Sequence, residues 1–354
     1  MYLDFFQLRE FPFRLTPDTE FLYMSSAHAR AKAYMDYTVW NREGFVIITG
    51  EIGCGKTTLI KKLLSELDED SFRVAKIFQT QLDEVEFLQA VLVEFGLNPF
   101  HAKKVELIDM LNTFLVESFQ QMKHMVLIVD DAHNLSMKAL EEIRMLSGLE
   151  TQKEKVLHVI LVGQPQLNDM LNAPEMEQLL QRVRLRFHLK ALTMDETAAY
   201  ISHRLQVAGA TRADILTPET MPVIYKYTGG VPRLINTLCD TALTVAYADN
   251  LPTVTIDVLK AAIDELQWQP FERRGGGRRG KPAPKSERGN GMQEHEKLIA
   301  GIGNRLHQMD SLVPALSSMS DRMASIEHLL TKIVSALQAG KTGKDPAKRT
   351  GTKD

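Results

Sequence analysis

The sequence predicts a three-layer α/β domain, a parallel sheet between two layers of helices, followed by an all-helical segment and one long C-terminal helix. Three observations carry this reading. Short β-prone runs alternate with amphipathic stretches of helical period up to Leu189; the first of these runs ends in a glycine-rich turn that opens a helix; and beyond Thr193 the β-prone runs cease. Such alternation favours parallel pairing, because each strand returns only after a helix has crossed a face of the sheet.

The strands are assigned to Val46–Thr49, Arg73–Phe78, Met125–Val129, Val156–Val162 and Val183–Leu189. Within and just before the last of them, Gln181-Arg182-Val-Arg184-Leu-Arg186-Phe alternates charged and apolar residues, which predicts three arginines on one strand face. Helix starts follow at Thr193 (Thr-Met-Asp-Glu), at Thr217-Pro218-Glu219 and at Thr255. Residues 271–291 read FERRGGGRRGKPAPKSERGNG, with seven arginines and lysines against two glutamates. A run so rich in glycine, proline and charge buries too little apolar surface to fold, and is expected to be a disordered basic linker. Beyond it Ile302, Met309, Leu316, Met323, Leu330 and Leu337 recur every seven residues, with Leu312, Met319, Ile326 and Ile333 three positions further on. That is the a/d seam of a coiled coil, interrupted at Pro314, and it predicts self-association or capture of a partner helix over 292–339. Residues 340–354 are read as a solvated tail.

Bulk composition narrows the classes. A chain of 354 residues holds two or three folding units, and 44% hydrophobic with 25% charged residues is ordinary for a globular protein. A net charge of −3 gives no chain-wide basic field of the kind that marks constitutive nucleic-acid binders. Two cysteines, Cys54 and Cys239, make no disulfide framework, and no apolar run reaches membrane-spanning length, so the cytoplasm is expected, or the periphery of the inner membrane through a partner. His101, His124, His158 and His188 lack metal-ligand spacing.

Chemistry concentrates at residues 50–58. Gly50-Glu51-Ile52-Gly53-Cys54-Gly55-Lys56-Thr57 satisfies the phosphate-loop pattern, and Thr58 continues into the helix. Glycines at 50, 53 and 55 are expected to let backbone amides turn inward around phosphates at a helix N-terminus. Lys56 is placed to reach β and γ oxygens, and the Thr57 hydroxyl to hold Mg2+. A helix N-terminus is also expected to lower the pKa of Cys54, and its alkylation to obstruct the loop. Met125-Val-Leu-Ile-Val-Asp130 ends a strand in a carboxylate, making Asp130 the second metal-orienting residue. Asp131 stands where many such sites carry a glutamate that polarises the attacking water, and it is one methylene shorter, about 1.5 Å of reach. No Asn/Thr-Lys-x-Asp guanine-reading motif follows, which favours ATP.

With these motifs in place the sequence resembles the AAA+ class, and within it the ExeA or general-secretion-pathway A type of bacterial ATPase. The opening segment shares the likeness: Met1-Tyr2, Phe5-Phe6, Pro12-Phe13, Leu15-Thr16-Pro17-Asp18, Phe21, Ser26 and His28, then Gly44-Phe45 leading to Ile48-Thr49-Gly50-Glu51. The resemblance runs to about Asp264. It implies an AAA+ core over 1–192 and a helical lid over 193–270. It also implies Gln164, in Leu161-Val-Gly-Gln164-Pro165, as a polar sensor bonding the lytic water or the γ-phosphate. Arg182 would be a finger reaching a neighbouring subunit's γ-phosphate, Arg233 of Gly229-Gly230-Val-Pro232-Arg233 a second sensor, and His28 a wall of the adenine pocket. The family's usual Asp-Glu-Ala-Gln is Asp130-Asp131-Ala132-His133 here, and the transmembrane and periplasmic regions usual in secretion-pathway members are replaced by the basic linker and heptad helix.

Three functions compete on these grounds. One is an oligomeric, ATP-hydrolysing switch or motor serving secretion, envelope or polysaccharide-export assembly, joined to itself through the AAA+ interface and to itself or a partner protein through the coiled coil. The second is an ATP-dependent DNA-binding adaptor of the transposition or replication type, using the basic linker. The third is a scaffold that holds ATP and hydrolyses it slowly because of Asp131.

Overall fold

The computed structural model describes residues 2–41, 44–150, 154–212 and 214–274. In chain order these form α1 Tyr2–Phe6, α2 Ser26–Trp40, β1 Phe45–Gly50, α3 Lys56–Leu64, β2 Phe72–Ile77, α4 Glu84–Glu94, α5 Lys104–Gln120 and β3 His124–Val129. There follow α6 Met137–Leu146, β4 Leu157–Gly163, α7 Gln166–Leu171, α8 Glu177–Arg182 and β5 Leu185–Leu189. The remainder is helical: α9 Met194–Val207, α10 Met221–Thr228, α11 Pro232–Ala248, α12 Ile256–Glu265 and α13 Phe271–Arg274.

Local chemistry sets the helix starts. Asp83 caps α4 and Thr193 caps α9, each in a reciprocal box with a glutamate three residues on, Glu86 and Glu196. Ser25 caps α2 by accepting from His28 N.

The strands pair in parallel in the order β2-β3-β4-β1-β5. β1, β3 and β4 are buried on both faces, which explains their unbroken aliphatic runs. Phe45, Ile47, Leu127, Val129, Val159 and Leu161 pack with the leucines of α4, α5 and α6 on one side. Val46, Ile48, Val126, Ile128, Ile160 and Val162 pack with α2 and α3 on the other. The register aligns Thr49 with Gly163 and Val129 with Leu161, so the carboxyl ends of β1, β4 and β3 lie side by side along one edge of the sheet. Ligands of open parallel sheets bind in the crevice outside such an edge.

A separate core joins the chain's beginning to its helical part. Tyr2, Phe6, Phe13 and Phe21 are buried with Tyr200, Ile201, Ile224, Ile235, Leu238, Leu243, Leu259 and Ile263. Polar ties reinforce it: the Tyr2 hydroxyl donates to Asp240 Oδ1 at 2.5 Å, and Asn236 Nδ2 donates to the carbonyl of Arg14 at 3.2 Å. The N-terminal segment is therefore held against the helices of the far end of the described chain.

The three-layer parallel sheet and the helical segment agree with the expected fold class, and the differences are local. The run predicted as one strand from Val183 breaks: Gln181 and Arg182 end helix α8, and the strand starts at Leu185. The three arginines therefore do not share a strand face. Near Thr217, Pro218–Thr220 forms a 3-10 turn and α10 starts only at Met221. Phe271–Arg274, placed in the linker by composition, is a helical turn whose Phe271 ring packs on Gly229, within 2.3 Å of where a Cβ on that glycine would lie. The remaining linker, the coiled coil over 292–339 and the tail over 340–354 lie outside the described residues.

Gly230 joins the sheet's exit to the helices. Its φ is +74°, and a Cβ there would lie 1.9 Å from the carbonyl oxygen of Leu192, whose N–H donates to Gly230 O at 2.9 Å. Gly230→Ala is expected to lower unfolding free energy by about 3 kcal/mol, combining left-handed strain with displacement of the Leu192 backbone. Urea denaturation measures this, and a loss below about 1 kcal/mol would contradict the packing described.

Candidate functional site

A cavity of about 410 Å3 opens at the carboxyl ends of β1, β4 and β3. Ile52, Gly53, Gly55, Lys56, Thr57 and Thr58 of the loop after β1 line it, as do Asp131 from the end of β3 and Gln164 from the end of β4. The helical part contributes Tyr200, Arg204, Arg233 and Asn236, and the N-terminal segment contributes Arg14 to Asp18 and Phe21 to Tyr23. Residues scattered over 220 positions thus meet because the sheet order puts β4 between β3 and β1 and the second core folds the N-terminal segment against the helices.

The loop has the conformation the glycine spacing predicts at two of its three positions. Gly53 and Gly55 have φ of +82° and +92°. Gly50 is required for space instead, since a Cβ on it would stand 2.7 Å from Leu189 O. The exposed side chain of Glu51 and the buried one of Cys54 do not line the cavity. Lys56 is buried, with Nζ donating to the carbonyls of Gly50 at 2.8 Å and Glu51 at 2.9 Å, and burial holds its pKa below the usual lysine range. An ammonium with only neutral acceptors in a half-closed site is a strong attractor for a polyanion.

Thr57 Oγ1 donates to Asp130 Oδ2 at 2.6 Å, which brings the two expected metal-binding oxygens together. Asp130 Oδ1 accepts from Asp131 N at 2.9 Å, and burial raises the pKa of the carboxyl. A buried carboxylate beside a threonine hydroxyl, at the mouth of a phosphate loop, suits a hard divalent cation that takes its remaining ligands from phosphate and water. The two residues fit Mg2+.

Asp131 is half-exposed, with φ +49°, and its carboxylate lies 3.9 Å from His133 Nδ1. Gln164 leans on the same ring, its carboxamide 2.7 Å from His133 Nε2. Arg233 stands at the start of α11; its N–H donates to Gly53 O at 3.2 Å, and a Cβ on Gly53 would lie 2.5 Å from Arg233 Cβ. The helical part therefore rests directly on the phosphate loop. Arg182 is elsewhere: its Nη1 donates to Arg144 O at 2.5 Å and to Ser147 Oγ at 2.9 Å, anchoring α8 to the end of α6.

The Cys54 expectation is corrected. The thiol is fully buried, and burial pushes its pKa up to about 11, outweighing the Lys56 charge that would lower it. With about one thiol in a thousand ionised at pH 8, and no solvent path, Cys54 is expected to resist maleimide in the folded protein. Buried Cys239 should behave alike, both reacting only after denaturation; rapid labelling of native Cys54 would contradict this geometry.

Several contacts at the site are not marked by any motif. The buried Thr80 donates from Oγ1 to Asp131 O at 3.0 Å and fixes the backbone of the turn. His28 Nε2 lies 2.9 Å from Cys54 O and Nδ1 2.7 Å from Ser25 Oγ, a pairing that suits a neutral ring donating to the loop and accepting from serine. Burial lowers the pKa of His28, which favours that neutral form. His28 thus braces the phosphate loop besides lining the cavity. Arg204, buried between Phe21 and Tyr200, donates from Nε to Pro12 O and from Nη1 to the Tyr200 hydroxyl at 3.0 Å, while Tyr200 donates to Asn236 Oδ1 at 2.7 Å. These contacts hold the N-terminal segment as a wall of the cavity.

The family model described as AAA domain matches residues 40–171, the stretch that holds the phosphate loop, Asp130 and Gln164. General secretion pathway protein A of Aeromonas hydrophila is 40% identical over 250 residues, 70% of this chain. Residues 40–171 form an AAA domain. The chain spans 45% of the length of that Aeromonas relative. Among solved structures, Cdc6p from Pyrobaculum aerophilum is similar at a TM-score of 0.56 with 17% identity, over 70% of each chain. The Aeropyrum pernix ORC2 protein, in its ADPNP-ADP complexes, is similar at 0.52 with 16% identity, over 68% of this chain and 66% of that one. At such identities the likeness concerns the fold alone. Among its described residues no helix is long and apolar enough to cross a membrane.

Proposed function

We propose that this protein binds ATP with Mg2+ in the cavity at the sheet edge, hydrolyses it, and acts as an oligomeric switch or motor in secretion, envelope or polysaccharide-export assembly. The observation that carries the nucleotide reading is the convergence of the glycine loop, Lys56, the Thr57–Asp130 pair, Gln164 and Arg233 on one cavity. Loop amides and Lys56 hold the β and γ phosphates, Thr57 and Asp130 hold the metal, and Gln164 and Arg233 approach the terminal phosphate from the sheet and from the helical part. Mg2+ held by Thr57 and Asp130 would supply charge neutralisation to the phosphates. The similar Aeropyrum pernix ORC2 structure, solved as ADPNP-ADP complexes, supports a nucleotide as the ligand of this fold. Likeness to a general secretion pathway protein supports the cellular role, and contacts beyond the described residues would choose the partner.

Assembly is the finer part of the proposal. Arg182 lies outside its own cavity, as a group acting on a neighbour must, and to do so it has to exchange Arg144 O and Ser147 Oγ for a phosphate. Phosphate release measured across protein concentration tests this: specific activity is expected to rise with concentration, and Arg182→Ala to remove the rise while leaving ATP binding intact. Constant specific activity down to the most dilute sample would remove the role of a neighbour.

The geometry of Asp131 favours a slow-hydrolysing, ATP-bound state as a second reading. The carboxylate is short and sits near the His133 ring, with its backbone tied to Thr80. The DNA-adaptor alternative draws on the basic run after Arg274, outside the described residues.

A further inference from the structure

A carboxamide at the position of Gln164 can serve a nucleotide in two opposite ways. Its NH2 can donate to a phosphate oxygen, or its C=O can accept from a water. We infer that His133 is a positioning residue that turns the Gln164 carboxamide with its NH2 toward the cavity, making Gln164 a donor to the terminal phosphate. The inference rests on the reading of the cavity as a nucleoside-triphosphate site.

His133 lies on the single 3-10 turn Ala132–Asn134 that follows Asp131, with its side chain 10% exposed. That turn is pressed against the end of β4, where a Cβ on Gly163 would meet His133 N at 3.3 Å. The ring touches Gln164 twice. The backbone N–H of Gln164 donates to Nδ1 at 3.4 Å, and the carboxamide faces Nε2 at 2.7 Å.

A neutral imidazole has one donor and one acceptor nitrogen. Nδ1 faces an amide hydrogen, so it accepts, and Nε2 therefore carries the proton. The carboxamide nitrogen is placed nearest Nε2, which would oppose two N–H donors at 2.7 Å. Half a turn of the amide exchanges its nitrogen and oxygen within the same volume, gives Nε2–H an acceptor, and leaves NH2 facing the cavity that Gln164 lines.

The opposite tautomer fails on distance. It requires an acceptor for Nδ1–H, and Asp131 Oδ1 is 3.9 Å away, beyond hydrogen-bond reach. It would also set Nδ1–H against the Gln164 N–H at 3.4 Å. A polyphosphate in the cavity pulls the same way, since its oxygens accept from NH2 and repel C=O.

Titration calorimetry of the full chain with ADP and with a non-hydrolysable ATP analogue tests this on the wild type, His133→Ala, His133→Gln, Gln164→Ala and the double alanine variant. His133→Ala is expected to weaken the analogue about tenfold, the worth of one misdirected charge-assisted hydrogen bond, and to leave ADP within about twofold. His133→Gln, whose amide can donate in place of Nε2–H, restores most of the loss. The double variant binds no worse than Gln164→Ala alone, as expected of residues acting through one group. Unchanged affinity for both the analogue and ADP in His133→Ala overturns the inference in favour of a water-facing carbonyl. Equal losses for both nucleotides, or additive losses in the double variant, overturn it in favour of a purely structural histidine. A wild-type chain that binds neither nucleotide removes the triphosphate reading itself, and is distinguished from the other failures by that control.

Discussion

Replacing Lys56 by alanine is expected to lower ATP affinity at least about 100-fold and to make hydrolysis undetectable, without loss of thermal stability. The affinity figure follows from removing a charge-assisted partner of two phosphate groups, about 3 kcal/mol. The stability expectation follows from the same burial. Lys56 keeps its ammonium on two carbonyls, with a pKa depressed by desolvation, so the folded protein bears a charge that burial disfavours. Deleting it relieves that cost and leaves two carbonyls at a wet cavity. Fluorescent-nucleotide titration with a parallel thermal melt measures both. A variant that binds ATP as tightly as the wild type would contradict the assignment of the cavity. One that melts well below the wild type would contradict the claim that Lys56 serves the ligand at the fold's expense.

Asp131→Glu is expected to raise turnover about tenfold, the second largest effect. A misplacement of about an ångström can cost about a hundredfold in rate, and the added methylene recovers much of that reach. In the present arrangement the Asp131 carboxylate lies near His133 Nδ1 at a left-handed backbone position, with Thr80 holding its carbonyl. The longer side chain can extend past the ring toward the cavity while the backbone stays where Thr80 fixes it. Steady-state phosphate release at saturating ATP is the measurement. An unchanged or reduced rate would show that another group orients the water and that aspartate is no handicap.

Much of the architecture was legible because it rests on short-range pattern. Five β-prone runs separated by helical stretches predict a parallel sheet, and the observed strands differ from those runs by at most one residue at either end except at β5, which starts two residues late. That exception is instructive. Alternation across Gln181–Phe187 is compatible with a strand, yet Leu179 is buried with Leu171 and Met176 beside α6, and this packing closes α8 before the strand begins. Similarly, the loop–helix motif puts Lys56 and Thr57 at the cavity, and a strand ending in aspartate puts Asp130 against Thr57, because both features are matters of local spacing.

What the sequence hid depends on contacts between distant segments. Nothing in Tyr200, Arg204 or Asn236 marks them as site residues until Arg204 is found holding Pro12 O, and Asn236 holding Arg14 O, from about 190 and 220 residues away. Cys54 was misjudged because the helix N-terminus, a local feature, is outweighed by burial among Ala31, Leu59 and Ile60, which is tertiary. Arg182 does not line its own cavity, and its bonds to α6 were invisible to spacing. His133 stood out only as a departure from a family pattern, and its link to Gln164 depends on β3 and β4 being neighbours in the sheet.

Titration calorimetry of the full chain with ATP, with and without Mg2+, tests the central claim most directly. One saturable site per chain with Kd below about 100 µM is expected. Affinity should fall when Mg2+ is chelated, because the buried Asp130 carboxylate and Thr57 then face the phosphates without the cation. No saturable binding up to millimolar ATP in the presence of Mg2+ would contradict it.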